Sequence, residues 1–183
     1  MESVNVSPKK PRTKKSKNMR NDAHVLFTNS LITRRIDLPI VNVGKNLMST
    51  FDSYVKTNFE GKCSVEGYIK PGSTNIISYS AGKTHGDMIS FNVVIGCDIC
   101  SPVEGMHIQC RAVNITKAGI RAESQNSPSP IVVFIARDHY YDGKYFNSIN
   151  EGDNIMIRVI GCRFELNDSQ ISVIAELLNK PNK

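Results

Sequence analysis

The sequence predicts two domains in one chain, an α+β domain with one helix on an antiparallel sheet, followed by an all-β barrel of five strands. Three observations support this prediction. Apolar residues recur clearly at helical spacing in one segment, between Leu47 and Phe59. Short apolar segments separated by Gly, Pro, Asn and Asp fill most of the remainder. A chain of 183 residues with 40% hydrophobic and 22% charged residues has a globular composition and the length of one large or two small domains.

In the first domain, expected at residues 23–102, a strand precedes the helix and several strands follow it. The stretch from Arg34 to Leu38 alternates in polarity, and Pro39 ends this strand because proline cannot donate a ladder hydrogen bond. Shorter strands are expected near residues 68–70 and 75–79, and a longer one from Met88 to Ile95. The helix has three to four turns, and its apolar stripe contains Leu47, Met48, Phe51, Tyr54, Val55 and Phe59. Such a helix packs on one face of an antiparallel sheet.

In the second domain, expected at residues 103–178, five strand segments follow one another. Their predicted bounds are 106–116, 119–124, 130–136, 154–165 and 170–177. Five strands in about 75 residues are typical of a small closed barrel of the OB type, which leaves no free sheet edge. In the first of them the apolar phase slips by one residue after Ala112, to Val113, which predicts a β-bulge. We expect Phe146 to fill the bottom of the barrel.

The net charge of +6 is concentrated at the N-terminus. Seven of the 23 basic residues but only two of the 17 acidic ones lie in residues 1–22, which leaves 16 basic against 15 acidic side chains elsewhere. We expect this tail to be disordered and dispensable for folding, because it has too few large apolar side chains to offset its ordering entropy. Such a segment suits nuclear import, nucleic-acid binding or simple solubility. Residues 179–183 form a short C-terminal tail.

The composition also predicts where the protein works. No apolar run approaches the roughly 20 residues of a membrane span, and no apolar segment follows the N-terminal charges as it does in a secretory signal. We therefore expect neither secretion nor a membrane partner. The five cysteines, an odd number, are expected to be free thiols in a reducing compartment.

A series of short motifs occurs in a fixed order within residues 25–178. The first domain contains Ile36-Asp37-Leu38-Pro39, Glu60-Gly61-Lys62-Cys63, Gly67-Tyr68-Ile69, Ile76 to Ser80, Gly82 and Phe91-Asn92-Val93. In this order they resemble the stalk subunit of multi-subunit DNA-dependent RNA polymerases, the family of the seventh subunit of eukaryotic polymerase II and its archaeal counterpart. The closest resemblance is to the shortened versions encoded by large cytoplasmic DNA viruses.

The second domain carries a resemblance of its own. It contains Gly105, Val113, Gly119-Ile120, Phe134-Ile135, His139, Gly152-Asp153 and Ile171-Ser172. In this order they are similar to the RNA-binding OB repeat of the largest small-subunit ribosomal protein of bacteria. The order of two matched domains is more specific than any single motif.

The polymerase resemblance implies a non-catalytic subunit without a cofactor. Its implied partners are the large polymerase core subunits, a small helical stalk subunit and single-stranded nascent RNA. The implied location is the nucleus, or the virion and host cytoplasm for a viral protein.

The resemblance further implies that one segment of the first domain docks on the polymerase core. Its residues here are Glu60, Gly61, Lys62, Cys63, Gly67, Tyr68 and Ile69. The two glycines would let the backbone approach a partner closely, and Tyr68 and Ile69 would offer a compact apolar anchor. The alternative is that both side chains pack on the helix stripe.

The barrel is expected to bind emerging RNA weakly and with little sequence preference. Arg121 and Arg158 occupy outward positions between inward apolar residues, and further basic and aromatic residues lie near the strand ends. The predicted RNA-binding residues are Lys117, Arg121, Phe134, Arg137, His139, Tyr140, Arg158 and Arg163. Aromatic rings stack on any base, so sequence preference should be small. For the aromatic residues at 140, 141, 145 and 146, two roles stay open, a stacking platform for bases and a plug for the barrel.

Other functions compete with this hypothesis. Cys97 and Cys100 with His107 and Cys110 would make a zinc set, but residues three apart on a strand, such as His107 and Cys110, point to opposite faces. We therefore predict structural thiols and no metal. Asp138-His139 is a possible acid/base pair, but the chain has no nucleophile elbow or phosphate loop, so we predict no catalytic site. The competing functions are a free-standing single-stranded RNA-binding protein of translation or RNA decay, and a structural scaffold.

Overall fold

The protein is described by a computed structural model that covers residues 26–44, 46–139 and 143–178. The basic tail of residues 1–22, Tyr140, Tyr141 and the C-terminal residues 179–183 lie outside the described residues. The predictions made for them stay predictions.

The first domain consists of one helix and a six-stranded antiparallel sheet, so it is mostly β. The sheet has the order β1-β6-β3-β2, and β4 and β5 also pair with β6. The predicted helix and sheet are confirmed, and β6 extends five residues beyond the predicted end at Ile95. In chain order the elements are β1 (Thr28–Pro39), α1 (Leu47–Asn58), β2 (Cys63–Ser64), β3 (Gly67–Ile69), β4 (Asn75–Tyr79), β5 (Lys83–His85) and β6 (Met88–Cys100).

The core of this domain lies between α1 and one face of the sheet. Phe51 and Val55 of α1 are fully buried, and the Phe51 ring lies 5.2 Å, centroid to centroid, from both Phe91 and Tyr79. Met48 was expected in the apolar stripe but is 47% exposed, so the first helical turn presents this side chain to solvent. Among the described residues, neither helix of the protein is long and apolar enough to cross a membrane.

The second domain is a closed five-stranded barrel, as predicted. Its strands follow one another around the barrel as β10-β11-β9-β8-β7. Only β9 and β11 pair in parallel, which is the arrangement of an OB-like barrel. Its elements are β7 (His107–Ile115), β8 (Gly119–Ser124), β9 (Ile131–Ala136), α2 (Gly143–Asn147), β10 (Asn154–Arg163) and β11 (Ile171–Leu177).

Two local predictions for the barrel are tested directly by its packing. The register of β7 against β8 shifts between Ala112 and Asn114, which confirms the bulge. Val113 is the extra residue and is 43% exposed, so the expectation that it continues the inward apolar phase is wrong. A bulged residue is left out of the pairing, and its side chain here turns outward. Phe146, from α2, is 2% exposed and belongs to the barrel core.

The two domains share a continuous buried seam. Cys63, Tyr68 and Cys100 are cross-strand partners on β2, β3 and β6, and all three pack in the hydrophobic cluster of the barrel rather than in that of the sheet. The backbone of Cys63 also bonds to the barrel loop after β10. Its N–H donates to the Asp168 carbonyl at 2.8 Å, and its carbonyl accepts from the Asn167 N–H at 2.9 Å. The chain therefore crosses between domains near residue 102, but the core does not divide there.

The seam depends on the absence of a side chain at Gly67. This glycine has φ +134°, and a Cβ there would lie 2.3 Å from the carbonyl oxygen of Cys100. We expect Gly67→Ala to lower the free energy of unfolding by about 2 kcal/mol or more, because strain and overlap each cost on the order of 1–3 kcal/mol. The melting temperature should fall by roughly 4 °C or more in differential scanning calorimetry.

Gly44→Ala is the matched control, since a Cβ at Gly44 meets nothing within 4 Å and its φ is not positive. Equal melting temperatures for both variants would contradict the close approach at Gly67.

Candidate nucleic-acid interface

One outward row of side chains crosses four strands of the barrel. Asn114 on β7 is the cross-strand partner of Arg121 on β8, which is the partner of Phe134 on β9. Phe134 is in turn the partner of Ile174 on β11. Phe134 and Ile174 are 49% and 51% exposed, whereas the residues flanking them along each strand are buried or half-buried. The pairing therefore places a flat aromatic ring between an arginine and an aliphatic side chain.

This row forms the floor of a groove with a volume of about 440 Å³. We call it the barrel groove; its lining residues are Asn114, Thr116, Ala118, Gly119, Ile120, Arg121, Phe134, Ile135, Ala136 and Ile174. Most of these are apolar. Gly119 allows β8 and β9 to approach closely, since a Cβ at this position would lie 2.3 Å from the carbonyl oxygen of Ile135. The Thr116 hydroxyl bonds to the Gly119 carbonyl at 3.1 Å and fixes the end of the β7–β8 loop.

Three of the predicted RNA-binding arginines have an acidic neighbour on the barrel surface. Arg121 is ion-paired with Glu123 at 3.4 Å and Arg163 with Glu165 at 3.0 Å. Arg158 is ion-paired with Glu176 across β10 and β11. These pairs are largely exposed, so each stabilises the fold little, but each reduces the positive potential that a phosphate would meet.

The other two basic residues of the predicted set, Lys117 and Arg137, lie at the β7–β8 loop, where the groove ends. Lys117 is exposed in this loop, between Thr116 and Ala118. The Arg137 N–H donates to the Ala118 carbonyl at 3.0 Å, which holds the start of the segment after β9 against the same loop. The Arg137 guanidinium lies 4.9 Å from the centroid of the Phe146 ring and 3.4 Å from Asn147 Oδ1. These contacts hold the Arg137 side chain against α2.

The structure thus gathers part of the predicted set. Arg121 and Phe134 line the barrel groove, and Lys117 and Arg137 are neighbours in sequence of lining residues. Arg158 lies on β10, separated from β9 by β11. Arg163 lies at the end of β10 and its side chain is 84% exposed. The side chain of His139 lies outside what the structure describes, as does Tyr140.

Of the four residues in the outward row, the sequence prediction included Arg121 and Phe134 but not Asn114 and Ile174. Ile174 alternates outward between buried Val173 and Ala175, so its exposure was visible in the pattern. Its place beside Phe134 follows only from the parallel pairing of β9 and β11.

The predicted docking segment is mostly interior. Tyr68 is 2% exposed and Ile69 is fully buried, so the expectation that they form a surface anchor is wrong. Ile69 packs in the cluster of α1 and the sheet, as the alternative had it, but Tyr68 packs against the barrel. The close backbone approach at Gly67 is to Cys100 of the same chain and not to a partner.

The polar side chains of this segment form hydrogen bonds within the same domain. The Glu60 carboxylate accepts hydrogen bonds from the Gly72 N–H at 2.9 Å and from the Thr74 hydroxyl, and so closes the turn before β4. The Lys62 ammonium donates to the Thr57 carbonyl at the end of α1 at 3.2 Å. Gly61 adopts φ +71°, and its N–H donates to the Ile69 carbonyl. These motif residues therefore have structural roles within the fold.

The cysteines of the possible zinc set lie in different places. Cys97 packs in the cluster of the sheet, whereas Cys100 and Cys110 pack in the cluster of the barrel. Burial raises the pKa of the Cys63 thiol to about 11 and the pKa values of Cys100 and Cys110 to about 12. Burial raises the pKa of Cys97 as well. Within the described ranges, no three His, Cys, Asp or Glu side chains are grouped so that they could hold a metal ion.

The comparison with known proteins gives one informative relative. No protein-family model matches the chain. The chain is similar to a protein of Acanthamoeba polyphaga mimivirus named "Putative DNA-directed RNA polymerase subunit L376". The two are 27% identical over 152 residues, which are 73% of this chain and 74% of the relative. Neither the sheet domain nor the barrel is that long, so the similarity spans both domains. It supports an RNA polymerase subunit as the class of protein.

The buried thiols generate a prediction about pH. An ordinary thiol has a pKa of about 8.5, so thiols whose pKa is raised in the folded state stabilise the fold fully below pH 8.5. This contribution is lost as pH rises towards 11–12, because the unfolded chain releases its thiol protons first. We expect the melting temperature to fall between pH 8.5 and 10.5, and the melting temperature of a Cys110→Ala variant to fall less steeply.

Thiol labelling tests the burial itself. Labelling with a disulfide reagent at pH 8 should modify one thiol, the exposed Cys162, in the folded protein and five after unfolding. Rapid modification of four or five thiols in the folded protein would contradict the burial.

Proposed function

We propose that this chain is a non-catalytic stalk subunit of a DNA-dependent RNA polymerase, which docks on the polymerase core through its sheet domain and contacts nascent RNA through its barrel. The observation that carries the proposal is the similarity to the mimivirus polymerase subunit, which extends across both domains. Since the relative is viral, the proposed location is the virion or the host cytoplasm. The proposed partners are the large core subunits, with a small helical stalk subunit as a further candidate.

The barrel groove supports the RNA contact. An exposed aromatic ring beside an arginine is the arrangement on which proteins stack single-stranded bases, and strands two and three of an OB barrel are the usual face for it. Here those strands are β8 and β9, which carry Arg121 and Phe134. The groove is lined mostly by apolar groups, with one amide and one guanidinium. Such a lining suits a site that binds a base but does not react with it.

The charges of the barrel support weak binding without sequence preference. Arg121, Arg158 and Arg163 have carboxylate partners, so a phosphate must compete with Glu123, Glu176 or Glu165 for each of them. Phosphate contacts supply most of the sequence-independent affinity of nucleic-acid binding. Stacking on Phe134 therefore carries a larger share of the affinity than it would on a strongly basic barrel. A subunit that is held beside the RNA exit by protein contacts needs only such modest affinity, because its effective concentration is high.

Co-purification tests the subunit assignment. We expect the affinity-tagged chain, expressed in its native cells, to recover the large catalytic polymerase subunits in amounts that ribonuclease treatment does not change. The protein contacts of a docked subunit do not depend on RNA. Quantitative mass spectrometry with an unrelated tagged OB protein as control gives the measurement. Recovery of RNA and ribosomal or decay proteins, abolished by ribonuclease, would instead support a free-standing RNA-binding protein.

A substitution in the groove tests the RNA contact. Phe134→Ala should weaken binding of a short single-stranded RNA by roughly 5- to 150-fold, since stacking is worth about 1–3 kcal/mol per base. Ile160→Ala is the matched control, because Ile160 is also an exposed apolar residue but lies on β10. Fluorescence anisotropy at several salt concentrations, with and without residues 1–22, separates barrel binding from binding by the basic tail. The slope of log K against log salt should be shallow, roughly 0.7 per neutralised phosphate. Equal RNA affinities of the Phe134→Ala and Ile160→Ala variants would contradict RNA binding in the groove.

A further inference from the structure

The most exposed large hydrophobic side chain of the described residues lies in the turn between β1 and α1. Val41 is 90% exposed, and Ile40 before it is 47% exposed. Met48, in the first turn of α1, is also 47% exposed. We call residues 39–44 the distal turn. Scattered single apolar residues are ordinary on a protein surface, whereas grouped exposed apolar residues mark interaction sites. These three lie within nine residues of the chain.

The distal turn is held in one conformation by the structure around it. Pro39 precedes a single turn of 3-10 helix at Ile40–Asn42, which the Val43 N–H closes by donating to the Ile40 carbonyl at 3.1 Å. The Ile40 N–H donates to the Asp87 carbonyl at 2.9 Å, which ties the turn to the segment between β5 and β6. Val43 packs against the core of the sheet domain. An apolar group presented on a fixed backbone loses little entropy on binding, which favours a role as an interface anchor.

The distal turn lies at the far end of the sheet domain from the barrel. β1 pairs with β6 without interruption from Thr28↔Ile99, beside the barrel, to Pro39↔Met88. Leu26 and Phe27, which precede β1, pack against the barrel cluster. A strand rises about 3.3 Å per residue, so eleven residues of β1 separate the two ends by roughly 36 Å. A partner held at the distal turn would leave the barrel groove accessible.

We propose that the distal turn is the protein-docking anchor of this chain, and that Val41 and Ile40 insert into an apolar cleft on a partner protein. The chemistry of the turn selects this occupant. Its sequence, Pro39-Ile40-Val41-Asn42-Val43-Gly44, contains no charged side chain, so it offers no cation to a phosphate and no carboxylate to a basic surface. Within the proposed function, on which this step rests, the partner is a large polymerase subunit.

The distal turn replaces the segment of residues 60–69 as the docking element. In that segment Tyr68 and Ile69 are buried and Glu60 is committed to the turn before β4. It nevertheless contains one exposed apolar residue, Val65, which is 76% exposed in the turn between β2 and β3. The chain thus offers two exposed valines in one domain, one in each competing segment.

Paired substitutions of these valines test the proposal. Val41→Asp in the full-length chain should reduce recovery of the large polymerase subunits at least tenfold in the co-purification, because a carboxylate cannot be buried in an apolar cleft without a partner. Val65→Asp should leave recovery within twofold of the unsubstituted chain. Both side chains are exposed, so both variants should keep the melting temperature and circular dichroism of the unsubstituted chain. Val41→Ser is a milder change that should give an intermediate loss of recovery. It takes the place of Val41→Asp as the test if that variant folds poorly.

Each outcome of this experiment decides something. If the unsubstituted chain recovers the large subunits and Val41→Asp recovers them equally, the distal turn is not the anchor, while the proposed function stands. If Val65→Asp alone abolishes recovery, docking belongs to residues 60–69. If the unsubstituted chain recovers no large subunit, the proposed function fails, and the anchor with it. Light scattering on the purified proteins tests whether a second copy of this chain binds the distal turn instead. If the chain is a dimer that Val41→Asp converts to a monomer while recovery stays unchanged, the turn serves self-association.

Discussion

The burial of Tyr68 against the barrel is the interaction on which the arrangement of the whole molecule depends. Tyr68 belongs to the sheet domain by its pairing but to the barrel by its packing, so the barrel core is completed by a residue of the sheet domain. Two backbone hydrogen bonds between Cys63 and the loop after β10, one donated from each side, fix the same seam. In other OB barrels that loop helps to enclose the ligand. Here its backbone is paired with β2, and the groove lies instead along β8, β9 and β11, beside the β7–β8 loop.

The two surfaces that this seam holds apart differ in chemistry. The barrel groove combines an aromatic ring with arginine and amide groups, which suit a base and its phosphate. The distal turn carries aliphatic side chains and no charge, which suit a protein cleft. A chain that contacts a protein at one end and RNA at the other requires this separation, since mixed chemistry on one surface would make the two partners compete. The packing and hydrogen bonds of the seam set the position of the barrel groove relative to the distal turn.

The ion pairs of the barrel reduce the positive potential that its basic residues would present to a nucleic acid. Residues 23–183 contain nearly equal numbers of basic and acidic side chains, and Arg121, Arg158 and Arg163 of the barrel each have a carboxylate partner. Positive charge is concentrated in the N-terminal tail. Specific positioning and electrostatic attraction can therefore be supplied by different parts of the chain, the barrel for the first and the tail for the second.

The sequence by itself determined most of the secondary structure, because periodicity of 2 or 3.6 residues is a local property. The helix over Leu47–Asn58, five barrel strands within two residues of their predicted bounds and the bulge after Ala112 all follow from it. The short elements β2, β5 and α2 and the first six residues of β1 were not predicted. Which apolar residues are buried was decided only by the tertiary structure. Tyr68 and Val41 are both apolar residues beside turns, yet one is buried by barrel strands distant in sequence and the other is 90% exposed. The barrel groove likewise exists because pairing of β9 with β11 brings Ile174 beside Phe134, and such contacts depend on residues that no local pattern connects.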